Sequence, residues 1–206
     1  MEYVVSFDIG GVFVKAGVNG FRDYLKGKKV DDRYIDYYFR LRQGNVETFC
    51  RRFNIDVVEF NEISGRREET EFFEDAHKIL SNLQQYNIHI IGISNGISLF
   101  DGNLGLFSTY FERIIDSYKV GMLKPDVRMF KLAERYYPED TIFIHVGDSI
   151  YADIIGANRA EWWSVLLDRK NEYSLMDLCG DQKPDYVIGD LCALEGIVRK
   201  LKHKKG

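Results

Sequence analysis

The chain has 206 residues, of which 45% are hydrophobic and 29% charged; 28 Lys and Arg stand against 32 Asp and Glu, for a net charge of −4 and an isoelectric point near 5.6. This is ordinary globular usage, which excludes a disordered tail, a collagen-like repeat and a coiled coil. Mild acidity gives no global attraction for nucleic acid or an anionic membrane, so an anionic ligand needs a local site.

The length fits one compact core with an inserted or appended subdomain. Cys50, Cys179 and Cys192 are odd in number and far apart, with no C-x-x-C pair or Cys/His cluster. Reduced thiols in a cytoplasmic protein are expected, not a disulfide framework or a zinc site. Met1 to Phe7 lacks the basic and long apolar regions of a signal peptide and reads as a strand. No apolar run approaches the ~18 residues that a membrane span needs.

In chain order, Tyr3 to Phe7 is a β-branched and aromatic run that stops at Asp8-Ile9-Gly10-Gly11, the pattern of a buried strand ending in a glycine turn. Residues 15–72 are rich in charge and aromatics. Tyr34, Tyr38 and Leu41 recur at helical spacing, and Gly17, Gly20, Gly27, Gly44 and Gly65 punctuate the stretch, which predicts a helical subdomain. From Asp75 the pattern alternates. Ala76, Ile79, Leu80 and Leu83 mark a helix, and Ile88 to Ile93 a strand stopped by Ser94-Asn95-Gly96. Phe111 to Ile115 reads as a strand and Asp126 to Tyr137 as a helix with Phe130, Leu132 and Ala133 in the core. Thr141 to Val146 is a strand ending at Gly147-Asp148-Ser149, and Ile150 to Arg159 a helix with small residues for close packing. Strands at Ser164 to Leu167 and Tyr186 to Ile188 precede a helix from Leu191 to Leu201. Alternation of apolar strands with helices predicts a parallel sheet covered on both faces, an α/β doubly wound Rossmann-like core. The basic tail reads as a solvated helix end.

Ligands of an open parallel sheet gather at the carboxyl ends of its strands. Three strands here end in polar residues: Asp8, Ser94-Asn95 and Asp148-Ser149. Lys124, ahead of Pro125 at the predicted first position of a helix, brings a cation to the same rim. Asp8 and Asp148 repel unless a cation lies between them, and Asp153 adds a third carboxylate. Oxygen ligands suit Mg²⁺ together with a substrate phosphate. Lys124 and donors at Ser94, Asn95 and Gly11 can hold the remaining phosphoryl oxygens. An anionic nucleophile, a divalent cation, a lysine and small donors fit phosphoryl transfer.

"VVSFDIGGVFV", "IIGISNG", "VGMLKPDVRMF" and "FIHVGDSIYADIIGANRA" resemble the four ordered motifs of the haloacid dehalogenase-like (HAD) hydrolases. The resemblance covers Tyr3 to Phe13 and residues 74 to about 195. It implies a core of 1–14 and 73–206, with 15–72 as an inserted helical cap. By position, Asp8 matches the nucleophile that forms an aspartyl-phosphate, Ser94 the residue that hydrogen-bonds the phosphoryl group, and Lys124 the lysine that steadies nucleophile and transferred charge. Asp148 matches the acidic Mg²⁺ ligand and Asp153 the second acid of that motif. Gly10 stands where most phosphatases of the superfamily have a second aspartate, the group that protonates the leaving oxygen and later activates water; its carbonyl still serves Mg²⁺. This D-x-G-x-V start resembles α-glucose-1-phosphate phosphatases and the epoxide hydrolase N-domain-like branch. A general acid–base group supplies roughly 10²–10⁴-fold in rate.

The expected activity is a Mg²⁺-dependent phosphatase acting on a small phosphorylated metabolite such as a sugar phosphate. The rivals are a 2-haloacid dehalogenase and a non-catalytic binding module that lost turnover with the acid. Dehalogenases of the family carry Ser-Asn where Gly147-Asp148 stands, so Asp148 favours metal and phosphate. His145 and His89 read as core or face-lining, His77 as surface, and Ser149 as a helix N-cap. Arg40, Arg42, Arg51, Arg52, Arg66 and Arg67 read mainly as solvated faces, and Tyr34, Tyr37, Tyr38 and Phe39 as packing between cap and core.

Overall fold

The computed structural model describes residues 1–15, 20–41, 45–64, 72–96 and 105–203. Six parallel strands form one sheet: β1 (Tyr3–Phe7), β2 (His89–Ser94), β3 (Arg113–Asp116), β4 (Ile142–Gly147), β5 (Trp163–Leu167) and β6 (Tyr186–Ile188), in the order β3-β2-β1-β4-β5-β6. This is the doubly wound order, and its direction reverses between β1 and β4. The crevice outside those two carboxyl ends is where such sheets bind ligands.

Alternate side chains of each strand serve opposite faces, as the two-residue strand period requires. Val5, Phe7, Ile90, Ile144, Val146, Val165 and Leu167 bury against Ala76, Ile79, Leu80 and Leu83 of α5 (Asp75–Gln85) and against Leu194, Val198 and Leu201 of α9 (Leu194–His203). Val4, Ile91, Ile93, Ile115 and Phe143 bury on the other face against Met129, Phe130 and Ala133 of α7 (Val127–Glu134) and Ala157 of α8 (Ile155–Arg159). Gly156 makes this second layer tight. A Cβ there would lie 2.3 Å from the Phe130 ring and 3.3 Å from Pro125 Cα.

Element boundaries shift where side chains act as caps. The strand expected from Phe111 begins at Arg113, after a 3₁₀ segment at Gly105–Tyr110. Pro125 does not open α7. Asp126 intervenes as the N-cap and accepts a bond from Arg128 N at 3.0 Å, and the Lys124–Pro125 peptide is cis. The core position expected at Leu132 belongs to Met129; Leu132 only packs beside the cluster. Ser149 is an N-cap as expected, its Oγ accepting from Ala152 N at 3.1 Å, but the first turn after it is π-helical, Ile150–Ile154.

Between β1 and α5 the chain forms α1 (Gly20–Gly27), α2 (Asp32–Ile35), a π-helical turn at Asp36–Arg40, α3 (Val46–Phe53) and α4 (Val57–Ser64). These helices have an apolar cluster of their own: Leu25, Val30, Ile35, Phe49, Cys50, Ile55 and Phe60, flanked by Tyr34, Tyr38 and Phe53. Leu41, the third residue of the predicted stripe, falls just beyond the π-helical turn. Gly17, Gly44, Gly65, Arg42, Arg66 and Arg67 lie outside the described residues. Two chain passages join this helical unit to the sheet, and they pair: Val14 bridges Gly10 and Phe72, and Phe73 N donates to Phe13 O at 2.9 Å. Arg169 locks the junction. Its guanidinium grips Asp75 at 2.9 and 3.0 Å, donates to Val12 O at 2.9 Å and lies 3.9 Å over the Phe73 ring. On the far side, Ser117 Oγ donates to Arg40 O at 3.0 Å.

Candidate active site

β1, β2 and β4 end side by side, and the turn that follows each supplies one part of the site. Asp8 N donates to Val146 O at 2.9 Å, which holds the first residue after β1 against β4. Lys124 Nζ lies 2.9 Å from Asp8 Oδ1 and 2.6 Å from Asp153 Oδ1; Lys124 and Asp153 are almost fully buried, and the Asp8 side chain keeps 15% of its exposure. Carboxylate oxygens of Asp8, Asp148 and Asp153 lie within 4.8 Å of one another. Four of the residues singled out from sequence thus converge, the first and last of them 145 positions apart in the chain.

Two close approaches explain the glycines. Gly11 has φ +76°, and a Cβ on it would lie 1.9 Å from Asp148 Oδ2; a Cβ on Gly147 would lie 2.1 Å from Asp153 Cγ. Bare backbone at both positions lets the two carboxylates pack into the crevice.

Other expected donors have different tasks. Gly11 N–H is engaged by Val14 O at 2.8 Å and closes the turn. Asn95 Oδ1 accepts from Lys124 N at 2.8 Å and its Nδ2 donates to Lys124 O at 3.0 Å, so both ends of the amide fix the Lys124 main chain. The Gly11 N–H is thus used within the turn, whereas Asn95 Nδ2 has a second N–H beyond the one given to Lys124 O. Ser94 is buried at the end of β2, in register with Asp116. Gly10 contributes backbone at the start of the turn, in a bridge with Val14. Asp153 is wholly buried, with Oδ1 accepting from Lys124 and His145 and Oδ2 from Ser149 N at 3.0 Å.

The charges follow from burial and pairing. Burial, and then the neighbouring Asp8 and Asp153 charges, push the Asp148 carboxyl up to about 7. Burial also raises Asp8, outweighing the opposing pull of Lys124. Burial works against the Asp153 carboxylate too, but the Lys124 ammonium and the His145 hydrogen bond overcome it and hold it well below the ordinary range. Burial likewise opposes the Lys124 ammonium, and the charges of Asp153 and Asp8 more than offset it. Three carboxylates around one lysine leave excess negative charge on hard oxygen donors. That is the environment in which Mg²⁺ binds, and Asp8 and Asp148 fit it.

Sequence reasoning missed several participants. His145 Nε2 lies 3.1 Å from Asp153 Oδ1 and Ser6 Oγ 3.0 Å from His145 Nδ1; the strand pattern marks His145 only as core or face-lining and gives Ser6 no role. Tyr173 OH donates to Asp148 O at 2.9 Å from the loop after β5. A tyrosine in a loop gives no signal by itself. His89 is half-buried at the sheet's amino end, 2.7 Å from Glu112, away from the crevice.

A family model for the haloacid dehalogenase-like hydrolases matches residues 4–161. The chain belongs to that family. Among its relatives, an uncharacterized protein of Saccharomyces cerevisiae is 33% identical over 88 residues, which cover 36% of this chain and 29% of the yeast protein. The glyceraldehyde 3-phosphate phosphatase of Methanopyrus kandleri is 26% identical over 136 residues, 63% of this chain and 57% of the relative. The chain therefore spans less than two thirds of either. The fold is that of solved HAD structures: a 2-haloacid dehalogenase from Pseudomonas syringae superposes with a TM-score of 0.70 at 19% identity, covering 98% of this chain and all of that one. A HAD phosphatase from Thermococcus onnurineus gives 0.67 at 20%, covering 96% and 98%. Among the described residues, no helix is long and apolar enough to cross a membrane.

Proposed function

We propose that the protein is a phosphatase of small phosphorylated metabolites that works through an aspartyl-phosphate on Asp8. The observation that carries the reading is Asp8, bonded to Lys124 at 2.9 Å and grouped with Asp148 within 4.8 Å. Asp8 and Asp148 would hold Mg²⁺, with the Gly10 carbonyl as a third oxygen, while Asp153, whose two oxygens are engaged by Lys124, His145 and Ser149, serves through Lys124. When bound, the ion withdraws charge from the phosphoryl oxygens.

Lys124 keeps Oδ1 of Asp8 in place and leaves Oδ2 for the bond to phosphorus. That oxygen attacks, the P–O bond to the leaving group breaks, and the departing oxygen takes its proton from water or from the substrate, because Gly10 carries no acid. Water then cleaves the acyl phosphate and releases Asp8 and inorganic phosphate. Lys124, anchored by Asp153 and by Asn95 on its backbone, balances charge through both steps. The helical segment within 15–72 acts as the cap that excludes water and reads the rest of the substrate.

The test is phosphate release from p-nitrophenyl phosphate and a panel of phosphorylated metabolites with Mg²⁺, beside Asp8→Asn. Turnover that survives Asp8→Asn, or that is undiminished in excess chelator, rejects the mechanism. Gly10 keeps a second reading open, displacement of halide from a 2-haloacid by Asp8, which needs no acid at that position. Halide release from 2-chloropropionate in chelator would select it.

A further inference from the structure

Ser6 and His145 are register partners on the adjacent strands β1 and β4. Both are fully buried on the α7 face of the sheet, where the Phe130 ring meets the imidazole edge-on at 5.1 Å. Two polar side chains in the middle of an apolar layer are costly unless each is hydrogen-bonded. Here they form one line: Ser6 Oγ to His145 Nδ1 at 3.0 Å, His145 Nε2 to Asp153 Oδ1 at 3.1 Å, Asp153 Oδ1 to Lys124 Nζ at 2.6 Å, and Lys124 Nζ to Asp8 Oδ1 at 2.9 Å.

The chemistry of the line fixes its protons. Asp153 beside the Lys124 ammonium is ionised and only accepts, so His145 carries its proton on Nε2. With the Nε2–H given to Asp153 in a fully buried apolar layer, Nδ1 serves as the acceptor and the Ser6 hydroxyl donates to it. Hydrogen bonds therefore run from Ser6 to His145 to Asp153, and from Lys124 to both Asp153 and Asp8. Without the His145 N–H, Oδ1 of this buried carboxylate keeps only Lys124, and with Ser149 N alone on Oδ2 the carboxylate can tilt about that bond. Lys124 turns with it and no longer fixes Asp8.

We propose that His145, braced by Ser6, is a positioning residue for the nucleophile Asp8, acting through Asp153 and Lys124. The kinetic part of this proposal rests on the phosphatase reading; the geometric part does not. An apolar residue in a core strand suffices for packing, so the choice of His with Ser opposite is explained by the carboxylate it orients.

The experiment compares His145→Leu, His145→Gln and Ser6→Ala in the full chain, each checked by thermal melting. Gln can place an amide N–H near the position of Nε2, whereas Leu fills the space without a donor. With Mg²⁺ and p-nitrophenyl phosphate, His145→Leu is expected to lower kcat by roughly 10- to 100-fold, the scale of a small misplacement, with KM little changed. His145→Gln recovers most of the loss, and Ser6→Ala costs a few-fold. Equal kcat in the Leu and Gln variants at matched melting temperature overturns the proposal.

A second arm needs no turnover. Nitrogen-15 NMR of the four histidines is expected to show His145 as the neutral Nε2–H tautomer. The Lys124 ammonium signal should move in His145→Leu, or in Ser6→Ala if the Leu variant does not fold, and stay in place in His145→Gln. An Nδ1–H tautomer, or a Lys124 signal indifferent to all three changes, rejects the assignment. If the wild type hydrolyses no phosphoester, the phosphatase reading falls and this second arm decides.

Discussion

Gly11→Ala puts one methyl group where the structure has no room. The new Cβ would lie 1.9 Å from Asp148 Oδ2 and 2.6 Å from its Cγ, and the backbone would keep a φ of +76°. The conformational cost for a residue with a Cβ is roughly 1–2 kcal/mol, offset by about 0.4–1 kcal/mol from a less flexible unfolded chain. The net loss of about 1 kcal/mol lowers the melting temperature by only about 2–4 °C at this chain length. The clash is the larger effect. Oδ2 is about 1.5 Å short of ordinary contact, so the Asp148 carboxylate must leave the cluster, and a shift of that size costs on the order of 10²-fold or more in rate. The assay is thermal melting with and without Mg²⁺, with turnover measured in parallel. At 100 times its dissociation constant a bound ion stabilises the native state by about 2.7 kcal/mol, a rise on the order of 5–10 °C. Gly11→Ala should lose most of that rise, and Asp148→Asn should reproduce the loss without the backbone strain. A Gly11→Ala protein that keeps the wild-type Mg²⁺ shift and turnover within a few-fold would falsify the placement of Asp148 against the Gly11 backbone.

Asp8→Asn should abolish turnover while leaving the protein folded by circular dichroism, because an amide does not attack phosphorus as a carboxylate does; wild-type activity in the purified variant would remove Asp8 as nucleophile. The Asp75–Arg169 pair gives a pH test. Burial raises the Asp75 carboxyl, but the Arg169 bonds and Leu191 N hold it below its usual value. Its stabilisation is therefore full above the unfolded value near 3.9 and fades as pH falls through the lower folded value. Asp75→Asn should cost roughly 3 kcal/mol in urea unfolding at pH 7 and progressively less as pH falls below the unfolded value; a cost independent of pH would show that the ion pair is not its source. Gly10→Asp should speed hydrolysis of alkyl phosphates more than aryl ones, by roughly 10²-fold or less, read from the slope of log kcat/KM against leaving-group pKa. A wild-type slope that is already flat, with chemistry rate-limiting, means that another group donates the proton.

The alternation of apolar runs with helical stripes was enough to specify the parallel sheet, since burial on both faces demands strands such as Ile88 to Ile93 and leaves little freedom in where they stop. The chemistry at the strand ends was also readable, because Asp8, Lys124, Asp148 and Asp153 are residue types that a solvated turn has little reason to collect on one rim. What the sequence could not show were contacts between residues far apart in the chain. Asn95 and Lys124 are 29 positions apart, and whether the amide faces a ligand or clamps a backbone depends on how the β2 and α7 ends approach. Gly11 reads as a turn glycine until Asp148, 137 positions later, is seen against it. Ser6 and His145 look like ordinary strand residues, and only the register of β1 on β4 makes them one hydrogen-bonded line into Asp153. Local pattern determined which elements form and which side chains could react. Tertiary packing decided which of those side chains remain free to react and which are used to hold the others, because a buried polar group must be bonded and only the folded chain brings its partner within reach.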